Sequence, residues 1–265
     1  DMVWKLSIEA GLIVLLNRLF KQIGKDYKTV YSITGQVLDA ALYAPELVGI
    51  LRTGYRKGGK TAGKELRAKV NVVYPEKNEP EVTNKIDFNL ANFAEKEPVE
   101  RSNFITQTTN EKLNKWTLQT IIGSALAGVT ATNEQIADKV SKKFVKQSGA
   151  RSKQIAITET LNSVEGARLI EANTLIEEGA EVKPEVKPED TAPKSLLGAL
   201  IRMWQSRKDD RVRPTHVKAD GQTVKGTTEP FTVGDSLLMY PGDTSLGADM
   251  AEIIGCRCFA ATFIS

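Results

Sequence analysis

The chain contains a single histidine, His216, and only two cysteines, Cys256 and Cys258. No G-x-S-x-G elbow accompanies the histidine, which excludes a Ser-His-Asp hydrolase of that type. The cysteines flank one residue near the C-terminus, no third thiol is available, and a disulfide across so short a loop is strained. A disulfide-stapled scaffold is therefore excluded, and a reducing compartment is compatible. Long apolar runs are missing too. Leu12–Leu16 is flanked by Glu9, Asn17 and Arg18, far short of the roughly 20 residues that a bilayer span requires. The segment also lacks the layout of a cleaved signal peptide, so cytosolic synthesis is the expectation. No charge sign prevails: Lys plus Arg total 36 against 33 Asp plus Glu, a formal balance of +3. Any nucleic-acid role must then be local rather than a bulk property.

What is present is globular. Hydrophobic residues make up 41% and charged residues 26% of 265 positions, close to a soluble average. At roughly 100–200 residues per domain this is one large domain or two modest ones, with ample length for a core. Leu6, Ile8, Leu12, Leu15, Leu16, Leu19, Phe20 and Ile23 recur at helical spacing. A second stripe runs through Val30, Ile33, Val37, Leu38, Ala41 and Leu42, with Pro45 expected to stop it, and a third helix begins near Glu46. Pro75, Pro80 and Pro98 mark an irregular excursion between Val70 and Pro98. Helix resumes from about Val99 to Gly128. Thr132-Asn133-Glu134-Gln135 has capping-box spacing and opens a short helix to about Gln147. Beyond Gly149, a longer helix is expected from Arg151 to Glu178, closed by Gly179 as C-cap.

Residues 183–193 contain three prolines and a KPEV/KPED repeat, the pattern of an extended, solvated linker. After it the texture turns to short strands: Val224–Gly226, Phe231–Val233, Leu237–Tyr240 and Cys256–Ile264. The fold expected is α+β, a mostly helical N-terminal half (1–149) followed by a small module with short antiparallel strands (150–265), interrupted by the proline-rich linker at 182–193. Basic residues crowd between Lys194 and Lys218 and acidic ones follow Ala219, so the two segments are expected to pair with each other.

Gly54–Thr61 satisfies the phosphate-loop pattern G-x-x-x-x-G-K-[ST]. That pattern cradles phosphates only between a buried strand and a helix. Pro45, the helical spacing around it and the lack of a later apolar run ending in a magnesium-holding Asp favour a basic helix instead, although three glycines weaken such a helix. Arg52, Arg56, Lys57, Lys60, Lys64, Arg67 and Lys69 form its cationic face, opposed only by Glu65. Such runs are mostly solvated faces, and a minority contact nucleic-acid phosphates or an acidic partner.

His216 with Cys258 would make a thiol dyad, but Cys258 lacks the helix N-terminus that usually lowers a thiol pKa. His216, Cys256 and Cys258 together supply soft metal ligands, yet structural zinc wants four. The expectation is a hydrogen-bonded histidine packed beside two buried thiols, with no metal, no cofactor and no catalytic residue.

The same residues carry a resemblance. Trp204-Gln-Ser-Arg-Lys-Asp-Asp210-Arg211-Val-Arg213-Pro-Thr-His216, Asp220-Gly221, Pro230-Phe231, Tyr240-Pro241-Gly242-Asp243 and Gly255-Cys256-Arg-Cys258 follow the order and spacing of a tailed-phage module. The chain resembles the phage head morphogenesis (minor head protein) family of the Mu F type. The match is specific from Trp204 to Cys258, moderate over Arg151–Gly179 and weak or absent before Gly149. Ile157 replaces an arginine usual in the family, and Gly255 replaces an asparagine. The resemblance implies a virion structural protein, not an enzyme. Its partner would be the portal, and further partners would be capsid or scaffolding protein and packaged double-stranded DNA. It would lie inside the head near the portal vertex, after assembly in the host cytoplasm without a membrane, and act in head assembly and DNA packaging or ejection. The motif residues suit an ion-pair network that fixes irregular loops. The alternative class is an enzyme, either a phosphate-loop nucleotidase or a toxin-like effector delivered with phage DNA.

Overall fold

A computed structural model describes residues 2–64, 66, 67, 72, 73, 79–182 and 194–264. The proline-rich stretch 183–193 and Lys69 lie outside the described residues. The chain packs as two units, each assembled from separate stretches: residues up to Thr53 with Lys96–Ala156, and Gly54–Glu95 with the chain from Ile157 onward. The division expected at 149/150 therefore falls inside a helix, and residues 54–95 belong with the C-terminal module. The α+β class holds, with long helices followed by short antiparallel strands.

Four helices supply the first unit. α1 (Met2–Thr34) joins the first two apolar stripes into one element and ends at Gly35, whose φ of 67° only glycine adopts readily. A 3-10 turn, Ala40–Tyr43, leads into α2 (Ala44–Ala62). Pro45 thus stands in the first turn of a helix, where its missing N–H costs nothing, rather than stopping one. Ile33 and Leu42, expected on a buried stripe, are exposed. α3 (Glu79–Leu126) runs through Pro98, and α4 (Asn133–Glu177) runs through Gly149. Both breaks expected from local signals are overridden, because one proline or glycine costs only about 3 or 1 kcal/mol against dozens of helical residues. The Thr132 capping box forms as expected, with Gln135 N–H donating to Thr132 Oγ1 (3.3 Å) and Thr132 N–H to Gln135 Oε1 (3.0 Å). The core gathers Leu16, Leu19, Phe20, Tyr27, Leu51, Leu113, Trp116 and Phe144. Phe144 meets both Phe20 and Trp116 edge-on.

In the second unit α4 continues to Glu177 and closes on a Schellman motif. Ala180 N–H reaches Leu175 O (2.9 Å) and Gly179 N–H reaches Ile176 O (3.1 Å), with Gly179 at φ 69°. Short strands β1 (Val72–Val73), β2 (Glu181–Val182) and β3 (Lys194–Ser195) pair antiparallel in that order. One turn, α5 (Leu196–Ala199), precedes β4 (Leu200–Gln205). β4 is the centre of a second antiparallel sheet, between β5 (Thr223–Lys225) and β8 (Phe259–Ile264). A hairpin, β6 (Phe231–Val233) and β7 (Ser236–Leu238), turns at Gly234 with φ 61°. α6 (Pro214–Ala219) and α7 (Met250–Ile253) complete the module. Along β4 burial alternates, so Leu200, Arg202 and Trp204 share the inner face. Trp204, Phe231, Val233, Leu238, Ile253, Cys256 and Cys258 form the core there. Among the described residues no helix is long and apolar enough to cross a membrane.

Gly54–Thr61 is helical throughout, so its backbone N–H groups are committed to the helix and form no phosphate cradle. Its glycines are packing residues. A Cβ on Gly58 would lie 2.5 Å from Ser163 Oγ, whereas one on Gly59 would meet nothing closer than 3.9 Å. Gly58→Ala should therefore cost about 1–3 kcal/mol by overpacking. Gly59→Ala should stabilise by up to about 1 kcal/mol through helix propensity. Thermal denaturation of the two variants checks the pair, and equal shifts would contradict the close approach.

Candidate functional site

The motif residues converge in the second unit. His216 sits on α6, with Cys256 and Cys258 on the segment entering β8. All three are 2% exposed. Pro214 starts α6 at the first helical position, and Asp249 caps α7 by accepting from Ala251 N–H at 2.8 Å. Those two short helices bring Thr215, His216 and Glu252 together. His216 Nε2 lies 2.9 Å from Glu252 Oε2, which also accepts from Thr215 Oγ1 at 2.8 Å. On the other side of the ring, Nδ1 lies 3.3 Å from Cys258 Sγ and 3.5 Å from Cys256 Sγ. Trp204 packs edge-on against the imidazole at 5.6 Å and against Phe231 at 5.5 Å.

The two thiols are not equivalent. Hydrogen bonding from Cys256, together with His216, holds Cys258 well below the usual thiol range, despite burial. Cys256 is pushed up by its hydrogen bond to Cys258, by burial and by that neighbour's charge. Cys258, His216 and Glu252 therefore have the connectivity of a thiol triad, with the sulfur buried. The three donor atoms of His216, Cys256 and Cys258 all lie within 4.8 Å of one another, a group able to hold a metal ion.

The charged motif residues bind backbone groups as well as making ion pairs. Arg213 donates to the Ile254 carbonyl. Asp243 accepts from Met239 N–H and Ser245 N–H, both at 2.8 Å, and closes the loop that carries Pro241. Asp220 accepts from Ser206 N–H at 2.7 Å, which lowers its pKa, while Gly221, at φ 82°, donates its N–H to Trp204 O at 2.9 Å. Asp210 and Arg211 are exposed and outside this cluster. The closest ion pair here is Arg257 to Asp209, bidentate at 2.7 and 2.5 Å, and it holds the Asp209 carboxyl below its usual value; Arg211 also lies 3.9 Å from Asp209. The basic and acidic segments are thus joined in both senses, by Asp209 with Arg257 and by Lys208 with Asp220 at 3.6 Å.

Sequence reasoning missed Glu252 and Arg202. Arg202 points inward from β4 and donates to the carbonyls of Gly226, Met239 and Glu229. Burial lowers its pKa to about 10. The alternation along residues 200–205 was the available signal for Arg202, and Glu252 offered none beyond its place in α7.

The cationic face separates. Arg56 pairs with Glu95 at 2.5 Å and Arg67 with Glu171 at 3.0 Å. Lys57, Lys60 and Lys64 are exposed and Arg52 is half-buried. Lys60 and Lys64 share a groove with Asp87 and Glu95, so the surface there is mixed in charge rather than uniformly basic.

No family model, no curated protein and no solved structure matches the chain.

Proposed function

We propose that the protein is a structural component of a tailed-phage virion, a minor head protein associated with the portal vertex. The observation that carries this reading is the ordered motif set from Trp204 to Cys258. Several of its members serve one purpose, holding irregular loops in a small module: Trp204 and His216 by packing, Asp220, Arg213 and Asp243 by capping backbone groups. The burial of Cys258 and His216 and the helical state of Gly54–Thr61 both favour a structural role over the enzyme alternative. Exposed Lys57, Lys60 and Lys64 offer phosphate contacts to packaged DNA.

The test is quantitative mass spectrometry of purified proheads and virions, with co-purification on portal oligomers. A few copies per particle and retention by the portal are expected. Absence from both particle types overturns the reading. DNA contact through the lysines predicts a Lys57/Lys60/Lys64→Gln variant with weaker duplex binding and a flatter salt dependence. An unchanged salt slope would remove DNA from the list of partners.

A further inference from the structure

We propose that His216 Nδ1, Cys256 Sγ and Cys258 Sγ are ligands of one zinc ion, with Glu252 as the outer carboxylate that orients the histidine. The proposal rests on the geometry of this cluster alone and stands or falls independently of the virion reading.

Spacing is the first argument. Zinc at about 2.3 Å from sulfur and about 2.0 Å from nitrogen in tetrahedral geometry sets N and S about 3.5 Å apart. The two Nδ1–Sγ separations are 3.3 and 3.5 Å. The tautomer is the second. Glu252 as a carboxylate only accepts, so the 2.9 Å contact with Nε2 places a ring proton there, and an Nδ1 free of its own proton turns its lone pair toward both sulfurs. A carboxylate on the far ring nitrogen is the usual support of a metal-bound imidazole. One lone pair accepts from one thiol only, whereas a cation satisfies Nδ1 and both sulfurs together.

Charge then selects the metal. With Cys256 and Cys258 as thiolates, any proton still on sulfur passing to solvent, and a neutral imidazole, Zn2+ forms a neutral centre, which a buried site requires. Cu(I) with the same ligands would leave a net negative charge. One water completes the tetrahedron. The ion would tie α6 to the entry of β8 across the core of the module.

The test uses the full chain purified under reducing conditions. About one zinc per chain should survive dialysis, and Co2+ titration of the stripped protein should give a thiolate-to-cobalt charge-transfer band. Cys256→Ser and Cys258→Ser should each remove or shift that band. Glu252→Gln should keep it while weakening affinity about 10–100-fold. Should the serine variants fail to fold by circular dichroism, the wild-type titration and Glu252→Gln still decide. A folded wild-type chain that retains no stoichiometric metal and gives no thiolate band overturns the proposal. So does metal binding that Cys256→Ser and Cys258→Ser, correctly folded, leave unchanged.

Discussion

Trp204→Ala should destabilise the second unit by about 3–5 kcal/mol, the range for truncating a fully buried aromatic side chain. Trp204 stands on the central strand of the β5-β4-β8 sheet, opposite Ala260, and is 0% exposed. Its ring separates His216 from Phe231, with centroids at 5.6 and 5.5 Å. Little around it can collapse into the space left, because the flanking backbone is pinned. Trp204 N–H donates to Gln222 O and its carbonyl accepts from Gly221 N–H, each at 2.9 Å. The variant's urea midpoint by circular dichroism should fall by at least about 1 M. Trp204→Phe keeps most of the apolar contact and should lose less than half as much. A Trp204→Ala midpoint within about 0.3 M of the parent would mean that Trp204 is not the keystone of this core.

The parts of the fold legible in sequence are those decided within one or two turns of chain. The Thr132/Gln135 box and the Gly179 cap depend on groups three to five residues apart, and both form. The β6 strand, Phe231–Val233, falls on the residues expected. Failures arise where tertiary burial outweighs a local preference. Pro98 and Gly149 looked like breaks, yet each lies inside a helix more than forty residues long, of 48 and 45 residues. Arg202 hid β4, because an arginine between Ile201 and Met203 reads as a solvated position. Here its guanidinium satisfies three backbone carbonyls inside the module.

The candidate site divides the same way. Trp204, His216, Cys256 and Cys258 were picked out as a group, and they do meet. Glu252 was not, since it reaches His216 across 36 positions of chain and nothing about a glutamate in a short helix announces that partner. The glycines of Gly54–Thr61 show the converse error of reading chemistry from pattern. Gly58 is small because Ser163 approaches it closely, and the match to a phosphate loop is a by-product of helix packing. The second half of α4 extends the point, for Thr158, Glu159, Asn162, Ser163, Glu165, Glu171 and Thr174 are all buried. A helix polar on most faces is internal here because its side chains hold other segments: Tyr55 donates to Glu159, and Ala260 N–H to Glu165.

Glu171 is another of these ties, and Glu171→Ala should cost about 3–5 kcal/mol, the penalty for stranding a buried charged partner. Its carboxylate, fully buried, accepts from Leu66 N–H at 2.9 Å, Arg67 N–H at 3.3 Å and Arg67 Nε at 3.0 Å. Arg67 is only 14% exposed at its side chain and spends its other nitrogens on Thr83 Oγ1 and Gly63 O. Alanine at 171 would leave two backbone donors and a guanidinium nitrogen without their acceptor. Glu171→Gln keeps an acceptor oxygen and should cost only about 1–2 kcal/mol near neutral pH. The pH dependence separates charge from hydrogen bonding. Burial raises the Glu171 carboxyl above its ordinary value of 4.5, more than Leu66 and Arg67 lower it. A carboxyl raised in the folded state contributes stability that is fully present below the unfolded value and is lost as pH rises through the folded one. The parent should therefore lose stability relative to Glu171→Gln as pH is raised from about 4.5 toward neutrality. Urea denaturation of both proteins across that window measures the difference. If the gap instead moves in the parent's favour as pH rises, the pairing with Arg67 outweighs burial, and the carboxylate is a net stabilising charge.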